Sequence, residues 1–560
     1  MVTNPSNKKR QHQKRLTQFR IGSVRGFGPS LFNPSMIYLF LLSFLVTGCM
    51  VGPDFVKPDP SLEEVWTQQE DPRIKTEGGD YREWWTVFND SVLNTLVEKA
   101  FQQNLNLEMA GLRILEARAQ LGIAVGSQYP QTQEARAIAT MNQFSSNSPL
   151  FGPLDNFNYN YGLGFDAAWE LDFWGRFRRG VESANASLYS ALANYDDLLV
   201  SLIAEVARTY TQIRTFEQRI AFARQNIRLQ EESQRIATAR YEGGATSELD
   251  VTQATALLKQ TEATVPSFEA GLRQAKNALA ILLGIPPIEA QAILGPTKPI
   301  PTAPLEITVG IPADLLKRRP DIRRAEFQAA AQSARIGIAK SDLFPRLSLL
   351  GSFFFVASDK GNMFSNNADF VDLFSSNSIL YSIGPQLQWP ILNYGRIKND
   401  VRAQDARFQQ FVVEYRNTVL RALQEVEDGM VGFLKAKEER AFLSESVKQY
   451  ERSVELSLIR YTEGLDTYQR VIDSQRLLNQ QQDQLASATG AVITNLIATY
   501  KALGGGWELR QGRDVVPPET QEQMRQRTDW GDLLVPKDFS NELEKPLTGH
   551  KIKIFNKPDF

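Results

Sequence analysis

The chain contains itself twice, and the two copies keep one spacing over a hundred residues. Leu171-Asp172-Phe173-Trp174-Gly175-Arg176 is echoed by Ile391-Leu392-Asn393-Tyr394-Gly395-Arg396, 220 residues later. Glu205-Val206 and Glu425-Val426, Arg240-Tyr241 and Arg460-Tyr461, and Leu283-Gly284 and Leu503-Gly504 repeat at the same 220. A spacing without drift means that the segments between the matches have equal lengths, as packed helices in fixed register require. Upstream, Tyr129-Pro130 and Phe344-Pro345 lie 215 apart, so the second copy carries five extra residues before its Gly-Arg. Loops accept insertions where packed helices do not, which predicts a loop there.

The repeated segments read as long helices. No proline occurs from Arg176 to Tyr241, and apolar residues recur at Tyr195, Leu199, Leu202, Val206, Tyr210, Ile213, Ile220 and Ile227. Steps of three, four and seven are helical and coiled-coil spacing. About 65 residues at 1.5 Å each reach roughly 100 Å, too long to fold into a compact globule. Turns are expected at Gly243-Gly244 and at Gly464, with return helices over 248–283 and 467–503 and shorter helices over 91–129 and 312–344.

Between the helices the period changes to two. From Tyr159 to Phe173 each odd position is apolar, while the even positions carry Asn158, Asn160, Gly162, Gly164, Asp166, Glu170 and Asp172 with one Ala. The second copy alternates likewise through Tyr381, Ile383, Leu387 and Trp389. Such alternation predicts strands with one apolar and one polar face. Further strands are expected near 132–141 and 346–356, giving two hairpins with aromatic ends, which read as pieces of a transmembrane β-barrel. Four strands cannot close a barrel, so the membrane reading requires self-association.

The N-terminus carries an address. Seven Lys and Arg residues precede the apolar run Met36–Val46, too short for a spanning helix, and the pattern is that of a secretory signal. Leu45-Val46-Thr47-Gly48-Cys49 resembles the bacterial lipobox, in which the cysteine is acylated and becomes the first residue. Cys49 is the only cysteine of 560 residues, which excludes an internal disulfide and any multi-cysteine metal cage. Only His12 and His550 are available for imidazole chemistry, both near the ends. With 62 basic and 64 acidic side chains there is no basic surplus for nucleic acid. No nucleophile constellation or phosphate loop is present, so no enzymatic activity and no cofactor beyond the Cys49 lipid are expected.

"CMVGPDFVKP", "LLKRRPDIRRAEFQAAAQSARIGIAKSDLFPRLSL" (315–349), "ALGGGWE" (502–508) and "TDWGDLL" (528–534) resemble the TolC-type outer-membrane factors, specifically the lipoprotein branch serving resistance-nodulation-division pumps. The resemblance spans Cys49 to about Leu534. It implies a mixed fold: long α-helices forming a periplasmic α-barrel, with β-hairpins from three copies making a twelve-stranded barrel in the outer membrane. The implied organisation is a signal peptide over 1–48, a lipidated segment over 49–90, a helix over 91–129 and β-hairpin 1 over 130–173. Helical hairpin 1 (174–284) and an equatorial linker (285–311) follow. The second copy supplies a helix (312–344), β-hairpin 2 (345–393) and helical hairpin 2 (394–504), then an equatorial tail (505–560). The implied function is a passive exit duct loaded by an inner-membrane transporter and a periplasmic adaptor, working as a homotrimer anchored in outer-membrane lipid.

The resemblance also implies a gate at the periplasmic turn of the second repeat. Asp473 and Arg476 match its aspartate and arginine, three apart on one helix face, with Tyr461 and Gly464 at the turn and Asp466 and Arg470 beside it. Some relatives carry a second aspartate where this chain has Arg470. From the residues alone, Asp473 and Arg476 read equally as an ordinary i,i+3 surface ion pair. A lipid-anchored coiled-coil scaffold without a pore is the competing expectation for the whole chain. The alternating strands separate the two, since a scaffold needs no membrane-facing hairpins.

Overall fold

The computed structural model describes residues 50–60, 65–145, 157–359 and 368–535. Cys49 and the signal region lie outside these residues, as do 536–560. In chain order the elements are β1 (Ile74–Lys75), α1 (Ser91–Gln103), α2 (Leu105–Gly126), β2 (Thr132–Gln143), β3 (Phe157–Glu170) and α3 (Arg176–Glu242). Next come α4 (Glu248–Glu262), α5 (Thr264–Leu283), α6 (Pro287–Leu294), β4 (Ile307–Thr308), α7 (Pro312–Arg318) and α8 (Pro320–Ser341). β5 (Arg346–Ser358), β6 (Ile379–Gln388), α9 (Arg396–Thr462), α10 (Tyr468–Ala502) and α11 (Pro518–Arg527) complete the order.

The duplication is written into the backbone. α3 and α9 each run 67 residues, starting at counterpart positions. Gly175 and Gly395 precede them with φ of 79° and 84°, a left-handed conformation that glycine adopts without a Cβ penalty. Three expected helices are each broken in two. Those over 91–129 and 312–344 break at Asn104 and Arg319, 215 residues apart and both extended, with ψ near 120°. Pro320 disfavours helix at Arg319, and the Asn104 side chain caps Leu107 N–H. Each break ties to the end of its return helix: Asn104 Nδ2 donates to Leu282 O (2.9 Å), and Arg319 Nη1 donates to Ala502 O (2.7 Å). The return helix of the first repeat breaks at Ala263, because Pro266 has no N–H for the Glu262 carbonyl. Its counterpart is Ala486, and α10 runs unbroken.

The expected hairpins form one antiparallel sheet in the order β2-β3-β5-β6. Register places Ala135, Phe165, Phe353 and Tyr381 side by side across all four strands, and Glu134, Asp166, Ser352 and Ser382 in the adjoining row on the other face. Odd positions therefore form an apolar face, with Ile383 85%, Tyr381 72% and Phe165 45% exposed. Counterpart tryptophans tether the sheet to the helices: Trp169 Nε1 donates to Gln128 O (3.1 Å) and Trp389 Nε1 to Leu343 O (3.0 Å).

The main core lies below, where α1, α2, the middle of α3, α5, α9 and α10 converge. Trp84 stacks on Tyr500 there, with centroids 5.4 Å apart. The segment after Cys49 is strapped to the top of α3. Val51 N–H donates to Trp174 O, and the buried Arg179 guanidinium donates to Val51 O, Gly52 O and Asp54.

Candidate functional site at the helical tips

Both long hairpins turn in the same way. Ala245 N–H donates to Arg240 O and Leu465 N–H to Arg460 O, each at 2.8 Å, while Gly244 and Gly464 take φ of 72° and 74°. This is the Schellman arrangement, which satisfies the last helical carbonyls and favours glycine at one position. Gly243, expected as a turn glycine, has an ordinary φ of −78°, and its counterpart is Glu463. Only Gly244 and Gly464 are demanded by conformation.

The two tips are locked together within one chain. Tyr461 is 2% exposed and packs with Tyr468, Val471 and Ile472 against Ala237, Ala254 and Leu257 of the first repeat. Its hydroxyl donates to Asp250 Oδ2 (3.1 Å), and Thr246 also donates to that carboxylate. Arg240 lies 4.8 Å above the Tyr461 ring and donates to Tyr461 O (2.7 Å) and Thr462 O (2.8 Å). A cation on the last carbonyls of α9 complements its dipole. Burial pushes the Tyr468 hydroxyl up to about 12, so it stays neutral.

Asp466 organises the second turn. It accepts from Thr467 N–H (2.9 Å), Arg470 Nε (3.1 Å) and Arg460 Nε (3.3 Å). These contacts, the Thr467 N–H first, hold its carboxyl below the ordinary value. Arg470 is thereby tied to the turn. Asp473 and Arg476 share a face but do not pair with each other among the described residues; Asp473 accepts from Gln469 (3.0 Å). Both line a cavity of about 610 Å³ between α3, α4, α5 and α10, which also holds Arg219 and Asp483. That pair is bidentate, at 2.6 and 3.0 Å, with Arg219 over the Phe268 ring at 4.1 Å. The i,i+3 ion pair expected as the ordinary reading is therefore replaced by a shared cavity wall.

Above the tips, α3 meets α10 through amides. Asn226 Nδ2 donates to Gln482 Oε1 (2.8 Å) and Asn479 Oδ1 (3.2 Å), and Gln475 Nε2 donates to Ser233 Oγ (2.9 Å). Gln230 lies between them, 2% exposed, with neither amide atom paired, and Gln475 Oε1 is also unpaired. Sequence reasoning missed this seam and the first-repeat partners Arg240, Thr246 and Asp250. Asp250 is the positional counterpart of Arg470, and that charge reversal at a repeated position was the available signal.

Comparison with known proteins places the architecture. The sequence pattern of the family described as "Outer membrane efflux protein" matches residues 96–285 and 311–505. Nodulation protein T of Rhizobium leguminosarum bv. viciae is 29% identical over 470 residues, covering 83% of this chain and 92% of that protein. The solvent efflux pump outer membrane protein SrpC of Pseudomonas putida is 29% identical over 480 residues, covering 83% and 97%. The solved structure of the outer-membrane channel OprN superposes with a TM-score of 0.76 at 32% identity, covering 82% of this chain and 100% of that one.

Proposed function

This chain belongs to the outer membrane efflux protein family and is an outer-membrane efflux channel, and on that premise we propose that three copies form the passive exit duct of a tripartite pump. The family is one of channels and not of enzymes. A resistance-nodulation-division transporter and a periplasmic adaptor would load the duct, and this chain would supply conduction without a chemical step. Lipid on Cys49 would add a second hold on the membrane.

The observation that carries this reading is the sheet. It is apolar across one face and mainly polar across the other, and among the described residues both of its edges, β2 and β6, are unpaired in the single chain. Exposed edges invite further strands, and closure into a barrel is the arrangement that leaves none inside a membrane. Two copies give eight strands, whose interior side chains fill; three give twelve, which supports a lumen. Aromatic residues sit at both ends, Phe157, Tyr159 and Phe370 distally and Trp169 and Trp389 proximally, as membrane interfaces favour.

The helices support the same assembly by quasi-equivalence. α8 packs along α3 within the chain, with Arg324 on Asp197 and Tyr189 on Phe327, and Ala193 and Val200 there are buried. The counterparts on α9, Val413 and Leu420, are 55% and 64% exposed. The counterpart of α8 is α2, so α2 of a second copy is the missing partner. Such a head-to-tail contact closes into a ring.

Edge-to-edge cross-linking tests the reading against a poreless scaffold. A cysteine replacing Met141 on β2 is combined in turn with one replacing Tyr381, Ile383 or Leu387 on β6. A disulfide needs Cα atoms about 4.4–6.8 Å apart, so only paired edges react. The duct predicts a covalent three-chain species in one of these registers. Chains that stay single in every register would favour the scaffold.

The gate is proposed at the tips. Tyr461, Asp466 and Arg470 would hold the closed state, and Asp473 and Arg476 would face the passage through the cavity wall.

A further inference from the structure

The polar face of the sheet is not polar throughout. Ile138, Phe354, Val356 and Leu380 all occupy even positions, on the side opposite the aromatic stripe. They are also neighbours. Ile138 and Val356 flank Gly162 in one row, and the next row joins Gly164, Phe354 and Leu380. The glycines leave room above the sheet, which the Phe354 ring fills at Gly164 and which stays open at Gly162. The Phe354 ring lies directly over Gly164, where a Cβ would have no room, and a Cβ at Gly162 would stand 3.9 Å from Ile138 Cβ. Leu380 is 59% exposed, Ile138 48% and Val356 42%.

Two carboxylates and one guanidinium adjoin this band. Arg136 pairs with Glu134 at 2.9 Å and approaches Asp166 at 3.7 Å. All three are on the same face as the apolar band, and together they carry one net negative charge per chain.

Resting on the channel reading, in which even positions face the lumen, we propose that Ile138, Phe354, Val356 and Leu380 form an exit-side contact site for amphipathic organic cations. Lipid cannot be the occupant, because it meets the odd-numbered face. A second copy joins along the β2 and β6 edges, in the plane of the sheet. A water-filled lumen is ordinarily lined by polar side chains, so an apolar patch there matches a cargo with apolar surface. The neighbouring carboxylates match a cationic one. Three such patches around the lumen would hold cargo briefly, and conduction needs binding that is weak enough to release.

The test is block of ion current through the purified full-length protein in a planar bilayer, using wild type and the Asp466→Ala variant. Tetraphenylphosphonium is expected to block at lower concentration than tetramethylammonium, which lacks the apolar bulk. It should also outperform tetraphenylborate, which has the bulk and the opposite charge. Phe354→Ser with Val356→Ser should raise the half-blocking concentration about tenfold or more, the loss expected for two apolar contacts, with the unblocked current kept. Leu380→Ser alone, at the most exposed of the four positions, should raise it in the same direction and keeps the test intact if the double variant fails to assemble. Glu134→Gln with Asp166→Asn should erase the preference for the cation over the borate. Equal block of wild type and Leu380→Ser, or equal potency of tetramethylammonium, overturns the site. Absence of current from both wild type and Asp466→Ala overturns the channel reading instead.

Discussion

The polar links of Tyr461 to the first repeat run through its hydroxyl to Asp250, its ring beneath Arg240 and its carbonyl, which accepts from Arg240. Tyr461→Phe removes only the first. It is expected to weaken the closed tip by about 1.5–3 kcal/mol, the scale of a hydrogen bond to a charged group, and to raise open probability in bilayer recordings. Asp466→Ala frees Arg460 and Arg470 together and should open the tip further than Asp473→Ala, whose carboxylate accepts from Gln469. The Asp466 carboxyl is held below its ordinary value of 3.8, chiefly by Thr467 N–H. A lowered folded-state value stabilises fully above the ordinary one and fades as pH falls through the lowered one. Conductance should therefore stay flat from neutral pH down to about 5 and rise only below about 4. A rise already complete at about pH 6 would contradict the role given to Asp466.

At the scale of elements, the two turns distinguish glycines that the sequence alone could not. Gly464→Ala and Gly244→Ala place a Cβ at positive φ and should each cost about 1–2 kcal/mol, whereas Gly243→Ala should be close to neutral. Thermal unfolding of the three variants measures this directly. The amide seam makes a second prediction. Gln230 is buried with both amide atoms unpaired, and unmade hydrogen bonds cost about 1–3 kcal/mol per group. Gln230→Leu should thus raise stability by about 1–2 kcal/mol while lowering open probability, because an apolar seam resists sliding of α10 on α3. The long helices, their equal lengths and the strand alternation were legible in sequence because periodicity and repeat spacing are local signals. The breaks at Asn104 and Ala263 were less so. Pro266 marked one, but the Asn104 side chain that caps Leu107 N–H is also held by Leu282 O, a partner 178 residues away. The tip was half legible. Tyr461 and Asp466 follow from the turn, but the partners Arg240 and Asp250 depend on how the two repeats dock, which spacing does not encode.

For the whole molecule, one physical rule recurs: each repeat leaves exposed what its counterpart buries. Val413 and Leu420 are open where Ala193 and Val200 are covered, and β6 ends unpaired where β3 continues into β5. A chain built from two such units satisfies itself once and stays unsatisfied at its ends, so the proposed three-chain assembly would complete the fold. Among the described residues no single helix is long and apolar enough to cross a membrane; the membrane hold in this account belongs to the sheet. Single-channel current from the purified protein in a planar lipid bilayer distinguishes a gated duct from a poreless scaffold. A small, infrequently open conductance is expected for wild type, rising markedly in Asp466→Ala and in Asp473→Ala with Arg476→Ala. Silence from all three proteins, in samples that contain the assembled three-chain species, would contradict it.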